Sequence, residues 1–110
     1  MKVEVLYFAG CPNHPPAVSQ VQEALQQEGV TAEMVEVEVT DEDSARTVGF
    51  LGSPTIRVNG LDVEASARSV QSYGLSCRTY AAENYRAGVP PVAWIRAAIR
   101  EAGCSGGGQR

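Results

Sequence analysis

A strand that gives way directly to a helix limits this chain's fold more than any other feature. Residues 3–8, Val-Glu-Val-Leu-Tyr-Phe, are β-branched or aromatic in all but two places and close on Ala9-Gly10, so they read as a buried first strand. From Pro15 to Glu28 the apolar residues Val18, Val21 and Leu25, with Ala17 and Ala24 beside them, recur at helical spacing. Pro15 and Pro16 suit the first turn, whose amides have no partner inside the helix, and Gly29 supplies the stop. Residues 32–39 then place Val35, Val37 and Val39 on one face and Glu36 and Glu38 on the other, as in a strand near a sheet edge whose glutamates meet solvent. Strand, helix and strand make a βαβ unit.

Beyond this unit the punctuation predicts a hairpin. Thr40 followed by Asp43 is expected to form a capping box that opens a short helix over residues 41–48. Gly49 to Pro54 reads as a loop, Thr55–Val58 as a strand, Asn59-Gly60 as a type I′ turn and Leu61-Asp62-Val63 as the returning strand. Residues 64–89, interrupted by Gly74, Gly88 and many small polar residues, carry no clear period. A short helix near 65–72 is expected there, with the stretch through Cys77 and Tyr80 largely loop. A closing helix begins at Pro90-Pro91, carries Val92, Trp94, Ile95, Ala98 and Ile99 towards the sheet, and is expected to end at Gly103. Trp94 reads as a packing residue, and Tyr7, Tyr73, Tyr80 and Tyr85 mostly as closers of a small core with their hydroxyls in water.

The expected architecture is therefore α/β: a βαβ unit, a β-hairpin and a C-terminal helix, forming a mixed sheet with helices packed on it. At 110 residues the chain suits one domain, residues 1–102, followed by a flexible glycine-rich tail, 103–110, that holds Cys104. Thirteen acidic against nine basic residues give a formal charge of −4, and the eight arginines are scattered along the chain, which argues against a nucleic-acid partner. No apolar run approaches the roughly 18 residues of a membrane span, and no apolar signal core follows Met1, so no membrane partner and a cytoplasmic location are expected. Three cysteines, at 11, 77 and 104, are too few and too far apart for a disulfide scaffold. They read instead as reactive or ligating groups.

Cys11 stands where the first strand ends and the first helix begins. Open amides and the helix dipole at such a place favour thiolate over thiol, so Cys11 is expected to be charged near neutral pH. His14, three residues on, returns to the same side of the helical turn. Protonated, it would support the thiolate; neutral, it would accept a proton or ligate a soft metal.

At Cys11-Pro12-Asn13-His14 the chain resembles the thioredoxin-like superfamily. The strand before that turn, the helix after it, Ser53-Pro54-Thr55 ahead of a hairpin and the closing helix at 91–101 carry the resemblance. It implies a cis peptide at Pro54 lying against the reactive turn, with the backbone before it helping to hold a peptide or thiol substrate. It also implies that Cys11 is the attacking cysteine and that Pro12, Ser53, Pro54 and Thr55 position the incoming group. His14 stands where a dithiol oxidoreductase of the superfamily has its second cysteine, so a two-cysteine cycle within the turn is absent. The wording through Gly74-Leu75-Ser76-Cys77-Arg78 is similar to a small bacterial group of uncharacterised thioredoxin-like proteins, some loosely labelled alkylmercury lyase. Only Cys11 and Cys77 suggest that label, and no matching catalytic carboxylate is identified.

Three functions follow as expectations. In the first, Cys11 performs monothiol redox or thiol-transfer chemistry on a protein disulfide or small-molecule thiol, without a cofactor, and is released by Cys77 or by a small thiol. In the second, Cys11, His14 and Cys77 form an open coordination sphere that carries Zn, Cu(I) or Hg(II). In the third, the domain is a redox-inactive interaction module, since a fold outlives the loss of its chemistry.

Overall fold

A computed structural model describes the backbone of residues 1–108 and side chains as far as Gly103. The first strand, β1 (Lys2–Tyr7), leads through a turn into α1 (His14–Glu28), and β2 (Glu33–Glu38) returns parallel to β1. The crossover helix makes a parallel return possible, because no tight turn can join two parallel neighbours. A short helix, α2 (Glu42–Val48), precedes β3 (Thr55–Val58) and β4 (Leu61–Asp62), and the four strands form one mixed sheet in the order β2-β1-β3-β4. β3 runs antiparallel to both β1 and β4. The hairpin turn has positive φ at both Asn59 and Gly60, as the type I′ pattern requires.

The two sheet faces bury different sets. Val3, Val5, Ile56 and Val58 face α1 and the C-terminal helix α3 (Val92–Gly108), and pack with Ala17, Val21, Ala24, Ile95 and Ile99. Leu6 and Val39 face the other way and pack with Ala45 of α2 and Phe50. The period-two alternation of β1 separates the faces: residues 3 and 5 go one way and residue 6 the other. Helices thus cover both faces of the βαβ-hairpin sheet.

Several local expectations are revised. The N-cap of α2 is Asp41, whose carboxylate accepts the Ser44 N–H at 2.7 Å, in place of the Thr40–Asp43 box. An aspartate caps better than a threonine, and with the cap one residue later Asp43 falls at the second helical position, not the third that a capping box needs. α3 runs on to Gly108 instead of ending at Gly103. One interior glycine costs a helix only about 1 kcal/mol and does not by itself end it. Cys104 lies outside the residues whose side chains are described.

Residues 64–89 hold more structure than their composition suggests. The expected helix near 65–72 is a 3₁₀ turn, Ala65–Ser69, and a hairpin of β5 (Tyr80–Ala82) and β6 (Tyr85–Ala87) forms a second small sheet. Trp94 receives the edge of Tyr80 at 6.4 Å and the tilted ring of Tyr85 at 6.2 Å between centroids, so it packs as expected. The Tyr80 hydroxyl does not face water: the residue is fully buried and donates to the Pro54 carbonyl, while the hydroxyl of partly exposed Tyr85 donates to the Val89 carbonyl. No helix among the described residues is long and apolar enough to cross a membrane.

Candidate functional site

The turn that carries Cys11 is built by two consecutive hydrogen bonds. The Cys11 N–H donates to the Phe8 carbonyl at 3.2 Å, closing a turn whose third residue, Gly10, has φ +83°. That angle is open to glycine and strained for almost any other residue. The His14 N–H then donates to the Cys11 carbonyl at 3.2 Å and starts α1. Cys11 is 6% exposed, so its side chain is nearly covered, yet it belongs to neither apolar cluster.

The open amides expected around the sulfur are missing. Of the five residues after Cys11, Pro12, Pro15 and Pro16 have no N–H, and that of His14 is engaged with the Cys11 carbonyl. Asn13 alone keeps an N–H outside the backbone hydrogen bonds, and its side chain makes no cap. The helix dipole acts mainly through unsatisfied N–H groups at the first turn, and few such groups are present here. The same prolines that suit the start of a helix deprive it of donors.

His14 is held by neighbours the sequence did not suggest. Its ring stacks on Tyr7 at 3.7 Å between centroids and 4° between planes, and its Nε2 lies 2.6 Å from Oε1 of Glu36. The pairing of Val5 with Glu36 explains the meeting, because Glu36 leaves β2 on the face that α1 covers. Glu36 is thus a partner of His14 and not part of a purely solvated strand face. With Nε2–H given to the carboxylate, Nδ1 is left as the acceptor nitrogen. Among the described residues no group of three or more His, Cys, Asp or Glu is arranged to hold a metal ion, so the expected set of Cys11, His14 and Cys77 is not assembled as one.

Ser53 joins the remaining pieces. The Ser53–Pro54 peptide is cis. Leu6 pairs with Thr55, which sets Ser53 beside the end of β1, where its Oγ accepts the Phe8 N–H at 3.3 Å. On its other side Ser53 forms a parallel bridge with Cys77: its N–H donates to Ser76 O at 2.8 Å, and its carbonyl accepts the Arg78 N–H at 3.0 Å. Bridge partners send their side chains to the same face, so exposed Cys77 shares the Ser53 side chain's face, the one turned to the end of β1. Cys77 therefore stands by the cis-proline loop.

A buried ionic knot fixes that segment. Arg78 is 7% exposed; its guanidinium makes two bonds to Asp62, at 2.7 and 2.9 Å, and one each to Glu64 at 3.0 Å and Thr55 Oγ1 at 3.2 Å. Burial works against the charged guanidinium, yet Asp62, the Tyr80 phenol and Glu64 outweigh it and keep its pKa above the ordinary arginine value. The guanidinium also lies 4.4 Å from the Tyr80 ring centroid. Burial pushes the Tyr80 hydroxyl well above the usual phenol range, so it stays a donor, and it holds the Pro54 carbonyl at 2.6 Å. No buried side-chain polar atom among the described residues lacks a partner. From the far side Gly88 packs so closely on the Asn13 side chain that a Cβ there would collide with it.

Beside the turn, a shallow cleft of ≈ 340 Å³ is lined by Phe8, Ala9, Glu38, Val39, Thr40 and Leu75. The structure thus gathers the Cys11 turn, Ser53, Pro54, Thr55 and Cys77 at one end of the sheet, and turns His14 onto Tyr7 and Glu36.

The profile of a domain of unknown function, DUF2703, matches residues 13–99. The chain belongs to this family. The DUF2703 match takes in His14, Ser53, Pro54, Thr55, Cys77 and the Arg78 knot, and starts two residues after Cys11. No curated protein and no solved structure matches the chain.

Proposed function

We propose that this DUF2703 chain is a thioredoxin-like thiol protein that exchanges disulfides through Cys11, with Cys77 as the resolving thiol. The observation that carries the reading is the Ser53 junction: its Oγ reaches the end of β1, three residues before Cys11, while its backbone pairs with the residues around Cys77. In the first step the Cys11 sulfur attacks one sulfur of a disulfide. A mixed disulfide forms, and the other half leaves as a thiolate that takes up the Cys11 proton. Cys77 then attacks the Cys11 sulfur, a Cys11–Cys77 disulfide forms, and the second half leaves as a thiol. The substrate is reduced by two electrons and the two protein thiols are oxidised; two equivalents of a low-molecular-weight thiol restore them.

In this cycle His14 handles the proton. It relays the Cys11 proton to the departing thiolate through Nδ1, the nitrogen that the Nε2–Glu36 bond leaves free, while Glu36 balances the imidazolium and Tyr7 stacks on the ring. The cleft at Phe8, Val39 and Leu75 receives the group attached to the attacked sulfur.

Mass spectrometry of protein treated with one equivalent of a disulfide tests the cycle. Wild-type protein is expected to accumulate an internal Cys11–Cys77 disulfide, Cys77→Ser to stop at the mixed disulfide on Cys11, and Cys11→Ser to form neither. Modification confined to Cys77, with Cys11 untouched, would overturn the reading. Zn(II) that blocks Cys11 stoichiometrically with no disulfide turnover would favour metal carriage instead.

A further inference from the structure

Ser53 has no backbone hydrogen-bonding group left to offer. Its N–H is spent on Ser76 and its carbonyl on Arg78. The neighbouring groups of the loop are taken by the same segment: Tyr80 donates to the Pro54 carbonyl, and Arg78 to the Thr55 hydroxyl, which itself donates to Gly52 O at 2.6 Å. Ser76, Arg78 and Tyr80 thus between them hold Ser53, Pro54 and Thr55, by one backbone bridge and two side-chain bonds. The approach is tight, since a Cβ on Gly52 would lie 3.1 Å from both Ser76 O and Arg78 Cβ, and Gly52 also holds φ +121°.

An extended polypeptide binds a sheet edge by supplying N–H and C=O groups to unpaired partners there. At the cis-proline loop those partners are satisfied from within the chain. The segment that satisfies them is not a loose flap, because it is anchored by a buried arginine with two carboxylates, and breaking such a pair leaves an uncompensated charge.

We infer that Cys11 exchanges with small-molecule disulfides and not with extended polypeptide segments, because residues 76–78 already occupy the backbone edge at Ser53 that such a segment would use. This rests on the thiol-exchange reading above and narrows its substrate class. A small disulfide needs only the Cys11 sulfur and the adjoining cleft. It contributes two sulfurs, one that becomes bonded to Cys11 and one that leaves with the proton, and it asks nothing of the backbone.

The test compares two probes on Cys77→Ser protein, in which the mixed disulfide on Cys11 persists: hydroxyethyl disulfide, and an extended uncharged cysteine peptide carried as its mixed disulfide with mercaptoethanol. Each rate is divided by that of the same probe with a free small thiol. The normalised rate for hydroxyethyl disulfide is expected to exceed that for the peptide by about an order of magnitude or more, since the peptide gains no edge contact and meets the segment as an obstacle. A peptide rate equal or higher would overturn this inference while leaving thiol exchange at Cys11 intact. If neither probe modifies Cys11, thiol exchange itself fails and the inference goes with it. Amide hydrogen exchange on wild-type protein gives a second reading that needs no variant. Strong protection of the Ser53 and Arg78 N–H groups is expected, and rapid exchange of both would show that the edge is open and overturn the inference.

Discussion

The sheet with its two helical faces and the segment from residue 64 to 89 are held together by different physics. Between β1, β3, α1 and α3 the contacts are apolar: Val3, Val5, Val21, Ile56, Ile95 and Ile99 are all essentially shielded from solvent. The later segment packs Tyr80 and Tyr85 on Trp94 but adds a layer of charge and hydrogen bonds that the first region lacks, with Arg78, Asp62, Glu64, Tyr80 and the loop at Pro54 in one connected set. Apolar contacts are nondirectional and roughly proportional to area, so the first region degrades by increments when trimmed. A polar knot is complete or costly, so the second should fail as a unit. The division also falls across the candidate site, since Cys11 hangs from the first region and Cys77 from the second.

The sharpest way to break the comparison is Arg78→Ala. It strands Asp62 in a buried setting and is expected to destabilise by about 3–5 kcal/mol, measured by chemical denaturation. If the two regions are distinct, amide protection in residues 76–88 should be lost well before that of β1 and β3. Uniform loss across the chain would show that the knot belongs to the core. Ile95→Ala is the counterpart in the apolar region, expected at about 2–5 kcal/mol, with protection falling together in the sheet and both long helices. A loss confined to α3 would contradict it.

The smallest effect sharpens the comparison from the surface. Glu28 accepts bonds from Arg100 and Arg96, which hold its carboxyl below the ordinary carboxylate value. A depressed folded pKa gives stability that is present above the unfolded value and is lost as pH falls through the folded one. Glu28→Gln should therefore lower stability slightly at neutral pH and leave it unchanged in acid, which flattens the acid side of the curve; the effect stays small because both arginines are partly in solvent. An unchanged acid limb would remove this pair from the ledger of contacts between α1 and α3.

Legibility in the sequence follows the same division. The βαβ unit and hairpin are legible because the β-branched and aromatic run of β1, period two in β2, helical spacing in α1 and the Asn59-Gly60 pair are local signals. Residues 64–89 are not, because their order comes from partners far away in the chain: Arg78 meets Asp62, and Tyr80 meets Pro54. No periodicity announces a single buried ion pair. Within the site, Cys11, Ser53, Pro54 and Thr55 are legible from the motifs around them, whereas no local signal sets Cys77 beside Ser53. Glu36 is not legible as a partner of His14, because alternation along β2 tells which face a residue takes but not that His14 lies on that face. The poverty of donors around Cys11 was written plainly in Pro12, Pro15 and Pro16.

Those three rings also govern what the mouth of the first helix can attract. Where many helices greet a phosphate, a sulfonate or a carboxylate with a fan of N–H groups, this one presents hydrocarbon. Anionic guests arriving there find almost nothing to hold, and selection at this end of the molecule falls to shape and to sulfur chemistry instead of ionic pull.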